Sequence, residues 1–221
     1  MRMKGFRLLL DMDGVIADFV KGALSVHRGK FDESNYAQLR GTNAWDIARW
    51  YMGPTSEFWG AFGYQFWKTL PKTPEADEIV DLCYQYVGED RVAVLTSPVN
   101  TLGCLDGKRD WLAKHFPDLP MLLSVRSKHG KATPPKEFCA TPNSILVDDY
   151  DENIRKWIDA GGLGFLYPRR WNSLFEYERR GVAELQGMLQ ATLHLDCFRV
   201  PPIGSGKLQS HRRHSDIGWT A

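Results

Sequence analysis

The sequence predicts an α/β fold: a doubly wound, Rossmann-like parallel sheet with a small helical cap inserted after the first strand. Three observations carry that expectation. Short apolar runs recur along the chain, each ending in polar or Gly-containing residues, as buried parallel strands do. Stretches with helical spacing of apolar residues separate them. One stretch, residues 29–70, breaks this alternation and is dense in aromatic residues.

The elements follow in order. Phe6 to Leu10 reads as the first strand, closed by an acidic turn. Ile16 to Val26 has helical spacing through Ile16, Phe19, Val20 and Ala23. The aromatic block holds short helical patterns around Trp45–Tyr51 and Glu57–Trp67, and Pro71 and Pro74 end it. Pro74 to Tyr86 reads as a helix, with Glu75, Asp77 and Glu78 suiting its positive end. Arg91 to Leu95 is a second strand, stopped by Thr96-Ser97-Pro98. Asp106 to His115 is helical, and Met121 to Val125 is a third strand. Ser144 to Val147 is a fourth, followed by Asp148-Asp149 and a helix over Glu152 to Ala160. After Gly161-Gly162, Leu163 to Leu166 is a fifth strand, and residues 172–193 make a last helix. Expected boundaries are a core of residues 1–28 and 71–195, a cap of 29–70, and a mobile tail of 196–221.

Composition narrows the class. The chain has 221 residues, with 28 Lys and Arg against 27 Asp and Glu, a formal net charge of +1. It is 43% hydrophobic and 25% charged, which is ordinary for a globular protein. Near-neutrality argues against a surface built for nucleic acid. No apolar run approaches the roughly 18 residues of a membrane span. The apolar N-terminal run is cut short by Asp11, too early for a signal peptide. Cys83, Cys104, Cys139 and Cys197 form no CxxC pair, so they read as free thiols of a cytoplasmic protein.

Three strand ends carry polar groups: Asp11-Met12-Asp13-Gly14, Thr96-Ser97 and Asp148-Asp149. Ligands of open parallel sheets bind at the carboxyl ends of the strands, so all three motifs converge on one edge. Singly, each is an ordinary turn or helix cap. Jointly they describe a site. Four convergent carboxylates repel unless a cation compensates, and hard oxygen ligands with substrate phosphate suit Mg²⁺. Asp11 is placed to attack phosphorus as a nucleophile. Asp13 can protonate the leaving oxygen and then activate water. Thr96 and Ser97 can bind phosphoryl oxygens, and Lys108 and Lys128 are the candidate cations beside them.

These residues resemble the four motifs of the haloacid dehalogenase superfamily. More narrowly, Leu10 to Phe19, the aromatic insertion, Phe66-Trp67-Lys68-Thr69-Leu70-Pro71, Leu95 to Pro98, and Lys108 with Trp111 resemble the 5'(3')-deoxyribonucleotidase family. The resemblance spans residues 6 to 168. It implies that Asp11 is nucleophile and metal ligand, and that Asp13 is acid/base with its carbonyl on the metal. Thr96 and Ser97 would bind phosphate, and Asp148 and Asp149 would hold Mg²⁺. An Asp at position 13 marks the phosphatases rather than the dehalogenases. Lys108 keeps the family's spacing to Trp111. Arg126-Ser127-Lys128 resembles the family's Arg-x-Lys segment, but extra residues, 130–141, separate Lys128 from Asp148, and Lys131 is a third choice.

The cap carries the substrate question. Its aromatic residues can stack on a base, making a deoxynucleotide the expected small-molecule phosphomonoester. Trp45, after the loop-like Arg40-Gly41-Thr42-Asn43, and Phe19 are the expected pocket residues. Alternatives are the same chemistry on another small phosphoester or a nucleic-acid end, or a non-catalytic receiver-like phosphoacceptor. In a receiver the acidic pair precedes the acceptor Asp; here it follows. A homodimer is compatible with the sequence. The basic run His211 to His214 reads as a solvated terminus rather than a nucleic-acid contact.

Overall fold

The structure is a computed structural model in which residues 2–31, 40–41, 47–124 and 135–197 are described. Five parallel strands form one sheet in the order β3-β2-β1-β4-β5. They are β1 (Arg7–Leu10), β2 (Val92–Thr96), β3 (Met121–Leu123), β4 (Ser144–Asp148) and β5 (Leu163–Leu166). Leu8 pairs with Val92 on one side and Ile145 on the other, so β1 lies at the centre. Alternation along the strands then builds two apolar faces. Leu8, Leu10, Val92, Val94, Ile145 and Val147 join the larger cluster. Leu9, Ala93, Leu95 and Leu146 face the other way, onto Ile154 and Trp157.

The α-helices among the described residues are α1 (Phe19–Val26), α2 (Thr55–Gly60), α3 (Tyr64–Lys68), α4 (Ala76–Val87), α5 (Cys104–His115), α6 (Asp151–Asp159) and α7 (Gly181–Cys197). Ile154 and Trp157 come from α6, whereas Ile79 of α4 and Leu185 and Leu189 of α7 cover the larger face. The sheet is therefore covered on both faces, as expected of a doubly wound fold.

Several boundaries differ from the sequence reading for local reasons. The first helix starts at Phe19, not Ile16. The amides of Ile16 and Ala17 both bond the Met12 carbonyl, at 3.0 and 2.8 Å, and close a loop instead. Asp18 then caps the helix, accepting from the Lys21 amide at 3.0 Å. Arg91 belongs to a 3₁₀ turn, so the second strand begins at Val92. The expected helix over 172–193 is divided. Asn172 Oδ1 accepts from the amides of Arg169 and Leu174, at 3.2 and 3.1 Å, and makes a turn. A 3₁₀ stretch, Phe175–Arg180, leads from there into α7.

Among the described residues of the aromatic block there are a 3₁₀ turn, Ile47–Trp50, and two short helices where one helical pattern was expected over Glu57–Trp67. Its described rings pack on each other. Phe62 stacks on Phe66 with centroids 4.1 Å apart, and Phe19 stacks on Trp67 at 5.6 Å. Phe58, Phe62, Phe66 and Trp67 are buried in the same cluster as the sheet face. Tyr36 and Trp45 lie outside the described residues.

Candidate active site

The loop after β1 is built by backbone bonds. The Gly14 amide donates to the Ala17 carbonyl at 2.8 Å. Gly14 takes φ +77°, a region open to glycine at little cost. This tight loop carries Asp11 and Asp13 past the end of the strand. Because the sheet is parallel, Thr96 and Asp148-Asp149 leave β2 and β4 on the same side.

The structure brings most of the expected residues together. Asp11, Asp148 and Asp149 are buried, and each offers a carboxylate oxygen within 4.8 Å of the others. Lys108, on α5, is fully buried. Its Nζ donates to Thr96 Oγ1 at 2.9 Å and to Asp13 Oδ2. The same Nζ lies 4.9 Å from the centre of the Trp67 ring, a cation–π contact that joins the aromatic block to the acidic edge. Ser97 follows Thr96 and is half-buried, as is Phe19. Phe19 is enclosed by Trp59, Phe62, Phe66 and Trp67. Lys128 and Lys131, like Trp45, lie outside the described residues.

A lysine the sequence reading did not name fills the centre. Lys136 Nζ stands 2.8 Å from Asp11 Oδ1 and 2.6 Å from Asp148 Oδ2, with only 4% of its side chain exposed. Burial alone would lower its pKa, but the two carboxylates outweigh that and hold it above its ordinary range. It falls within residues 130–141, the stretch read as extra sequence. Asn153, in the first turn of α6, adds bonds to both Asp148 oxygens at 3.2 and 3.0 Å. The Tyr150 amide donates to Asp148 Oδ1 at 2.9 Å.

The loop after β5 was also missed. The Arg169 guanidinium is buried and donates to the carbonyls of Gly14 at 2.6 Å and Val15 at 3.3 Å. Trp171 Nε1 donates to Asp149 Oδ2 at 2.6 Å, and Asn172 Nδ2 donates to the Asp149 carbonyl at 3.0 Å. The loop's signal is the one the other motifs carry, polar residues just past the end of a strand, here β5.

Among the described residues, four carboxylates thus face two ammonium groups, while Arg169 is paired with Glu75. That surplus of negative charge matches a divalent cation. Burial first, then the charges of Asp148 and Asp11, pushes the Asp149 carboxyl well above its usual range. Burial likewise raises Asp13, against the pull of Lys108. Asp13 Oδ1 is buried with no hydrogen-bond partner among the described residues. Hard carboxylate oxygens at this density fit Mg²⁺.

No protein-family model matches the sequence. No curated protein matches it either. Solved structures of similar fold include a hydrolase from Pseudomonas syringae, at 13% identity and TM-score 0.48, covering 84% of this chain and 98% of that one. A haloacid dehalogenase-like hydrolase from Streptococcus pneumoniae gives 11% identity and TM-score 0.47, covering 80% and 92%. The L-2-haloacid dehalogenase from Xanthobacter autotrophicus gives 13% and 0.43, covering 87% and 88%. Function is therefore read from the site's own residues. Among the described residues, no helix is long and apolar enough to cross a membrane.

Proposed function

We propose that the chain is a Mg²⁺-dependent phosphomonoesterase of the haloacid dehalogenase type that hydrolyses deoxyribonucleoside monophosphates. The observation that carries this reading is the buried carboxylate trio at the sheet edge, with Lys136 between two of its members. Asp11, Asp148 and Asp149, with the Asp13 carbonyl, would hold the metal. When bound, Mg²⁺ supplies positive charge against the carboxylates and the transferring phosphoryl group.

The residues divide the work as follows. Thr96, Ser97 and Lys108 bind phosphoryl oxygens and fix the group in front of Asp11. Lys136 holds Asp11 Oδ1, which orients the carboxylate for in-line attack. An Asp11 oxygen bonds to phosphorus as the bond from phosphorus to the leaving oxygen breaks. The Asp13 proton passes to that oxygen. Asp13, now ionised, takes a proton from water whose oxygen attacks the aspartyl phosphate. Inorganic phosphate leaves, Asp11 is regenerated, and the water's proton stays on Asp13. The raised pKa of Asp13 suits a group that must begin as an acid.

The nucleotide is supported by the aromatic cap, residues 29–70, which reaches the phosphate-binding groups through Trp67 and Lys108. A second reading, another small phosphoester, is favoured by the packing of Phe58, Phe62, Phe66 and Trp67, whose faces are taken up by neighbours. Phosphate release from dUMP and dTMP, compared with sugar phosphates and 3'-phosphorylated oligonucleotides in Mg²⁺, separates the two. Equal release by the parent and Asp11→Asn proteins would overturn the mechanism.

A further inference from the structure

We propose that residues 169–172 form a strap that positions Asp149 for the metal ion, with Trp171 the residue that orients its carboxylate. The inference rests on the phosphatase reading above and assigns this loop a part in it. Asp149 is held at three points. Its Oδ2 accepts the Trp171 indole N–H at 2.6 Å, and its carbonyl accepts Asn172 Nδ2 at 3.0 Å. Its carboxylate also rests on Gly14, where a side chain would collide with Oδ2.

Gly14 is held in turn by the same strap. Arg169 grips the Gly14 and Val15 carbonyls from one guanidinium and pairs with Glu75 at 3.3 Å. Thr73 Oγ1 adds a bond to the Val15 carbonyl at 2.7 Å. One short loop therefore fixes both the wall behind Asp149 and the carboxylate in front of it. The strap is itself closed by Asn172, which donates to the Tyr167 carbonyl at 2.7 Å. Trp171, Arg169 and Asn172 are all buried, so the bonds are shielded from water. A hydrogen bond from an indole N–H fixes the carboxylate oxygen that accepts it and denies the Asp149 side chain free rotation. Partners of ligand groups in metal sites commonly change affinity by about 10- to 100-fold when lost.

The test is a Mn²⁺ titration of the full chain followed by EPR, which reads metal binding without turnover. Trp171→Phe keeps the ring and removes the N–H. It is expected to weaken Mn²⁺ binding by about 10- to 100-fold, with far-ultraviolet circular dichroism unchanged. Arg169→Lys keeps the charge toward Glu75 and loses the fork, and a smaller loss of affinity is expected. It carries the test if Trp171→Phe does not fold. Trp157→Phe is the control, because Trp157 packs in the second apolar cluster and its buried indole N–H has no hydrogen-bond partner among the described residues. Its affinity is expected to equal the parent's. Parent-like Mn²⁺ affinity in folded Trp171→Phe and Arg169→Lys overturns the strap and leaves the phosphatase standing. An equal loss in Trp157→Phe overturns it as well. A parent chain that binds no Mn²⁺ overturns the strap and the metal-dependent reading together.

Discussion

Gly14 and Asp149 share one space. A methyl group built on the Gly14 Cα would stand 1.9 Å from Asp149 Oδ2. The glycine also sits at φ +77°, where an alanine costs about 1–2 kcal/mol in backbone strain. Gly14→Ala therefore has to move either the β1 loop or the Asp149 carboxylate. Phosphatase activity is expected to fall by at least about 100-fold, as for loss of a principal electrostatic group. The midpoint of thermal unfolding is expected to drop as well. Steady-state kinetics beside a melting curve check both, and parent-like activity would show that the contact is dispensable.

Lys136 is the second point of sensitivity. Its ammonium is paired with two buried carboxylates, so Lys136→Met takes from both their balancing charge. Removing one partner of a buried pair costs about 3–5 kcal/mol. Urea unfolding at neutral pH is expected to register a loss of that order. Turnover is expected to fall with it, because Asp11 loses the group that orients it. Lys136→Arg keeps the charge and is expected to recover stability better than turnover, since a guanidinium does not fit the site of a compact ammonium.

Lys136 also marks where sequence reasoning stopped. Asp11, Asp13, Thr96 and Asp148-Asp149 were legible because each follows an apolar strand, and the parallel sheet converts strand order into spatial convergence. Lys136 follows no strand. It sits in a 3₁₀ turn, Lys136–Cys139, entered after Pro135, and nothing in its neighbours sets its direction. Trp171 and Asn172 were hidden differently. The last helix was expected to begin at residue 172, and the turn made by the Asn172 side chain sets these residues apart from it. The aromatic block was read as an insertion from its break in the strand–helix alternation. Composition could not say how far its rings would be consumed by packing, because stacking on a base and stacking on a neighbour use the same residues.

Gly107 ties that block to the site. A Cβ there would lie 2.6 Å from both the Trp67 Cβ and the Tyr64 carbonyl, so α5 and α3 touch backbone to backbone. Lys108 is the next residue, and its reach to Thr96 and Asp13 depends on that approach. Gly107→Ala is expected to cost about 1–3 kcal/mol through overpacking. It is also expected to raise KM for the phosphomonoester more than it lowers kcat, because in the proposed mechanism the displaced lysine would bind phosphoryl oxygens before the chemistry begins. A loss of stability with KM unchanged would separate the helix contact from phosphate binding.

His115 closes α5 and gives a pH dependence of known sign. Its ring lies 4.7 Å from that of Trp111. Burial first, then the charges of Lys114 and Lys72, lowers its pKa from the ordinary 6.5, against a smaller opposite pull from Asp77. The unfolded chain therefore takes up a proton near pH 6.5 that the folded chain resists. The unfolded state binds more protons across that window, so stability rises with pH through it. The contribution is fully present above 6.5 and is lost as pH falls through 6.5 toward the folded value. Other buried acids titrate too, so the difference between parent and His115→Gln is the informative quantity. Urea midpoints from pH 5 to 8 are expected to converge at the acid end and separate in the parent's favour above pH 6.5. A difference independent of pH would assign His115 a packing role alone.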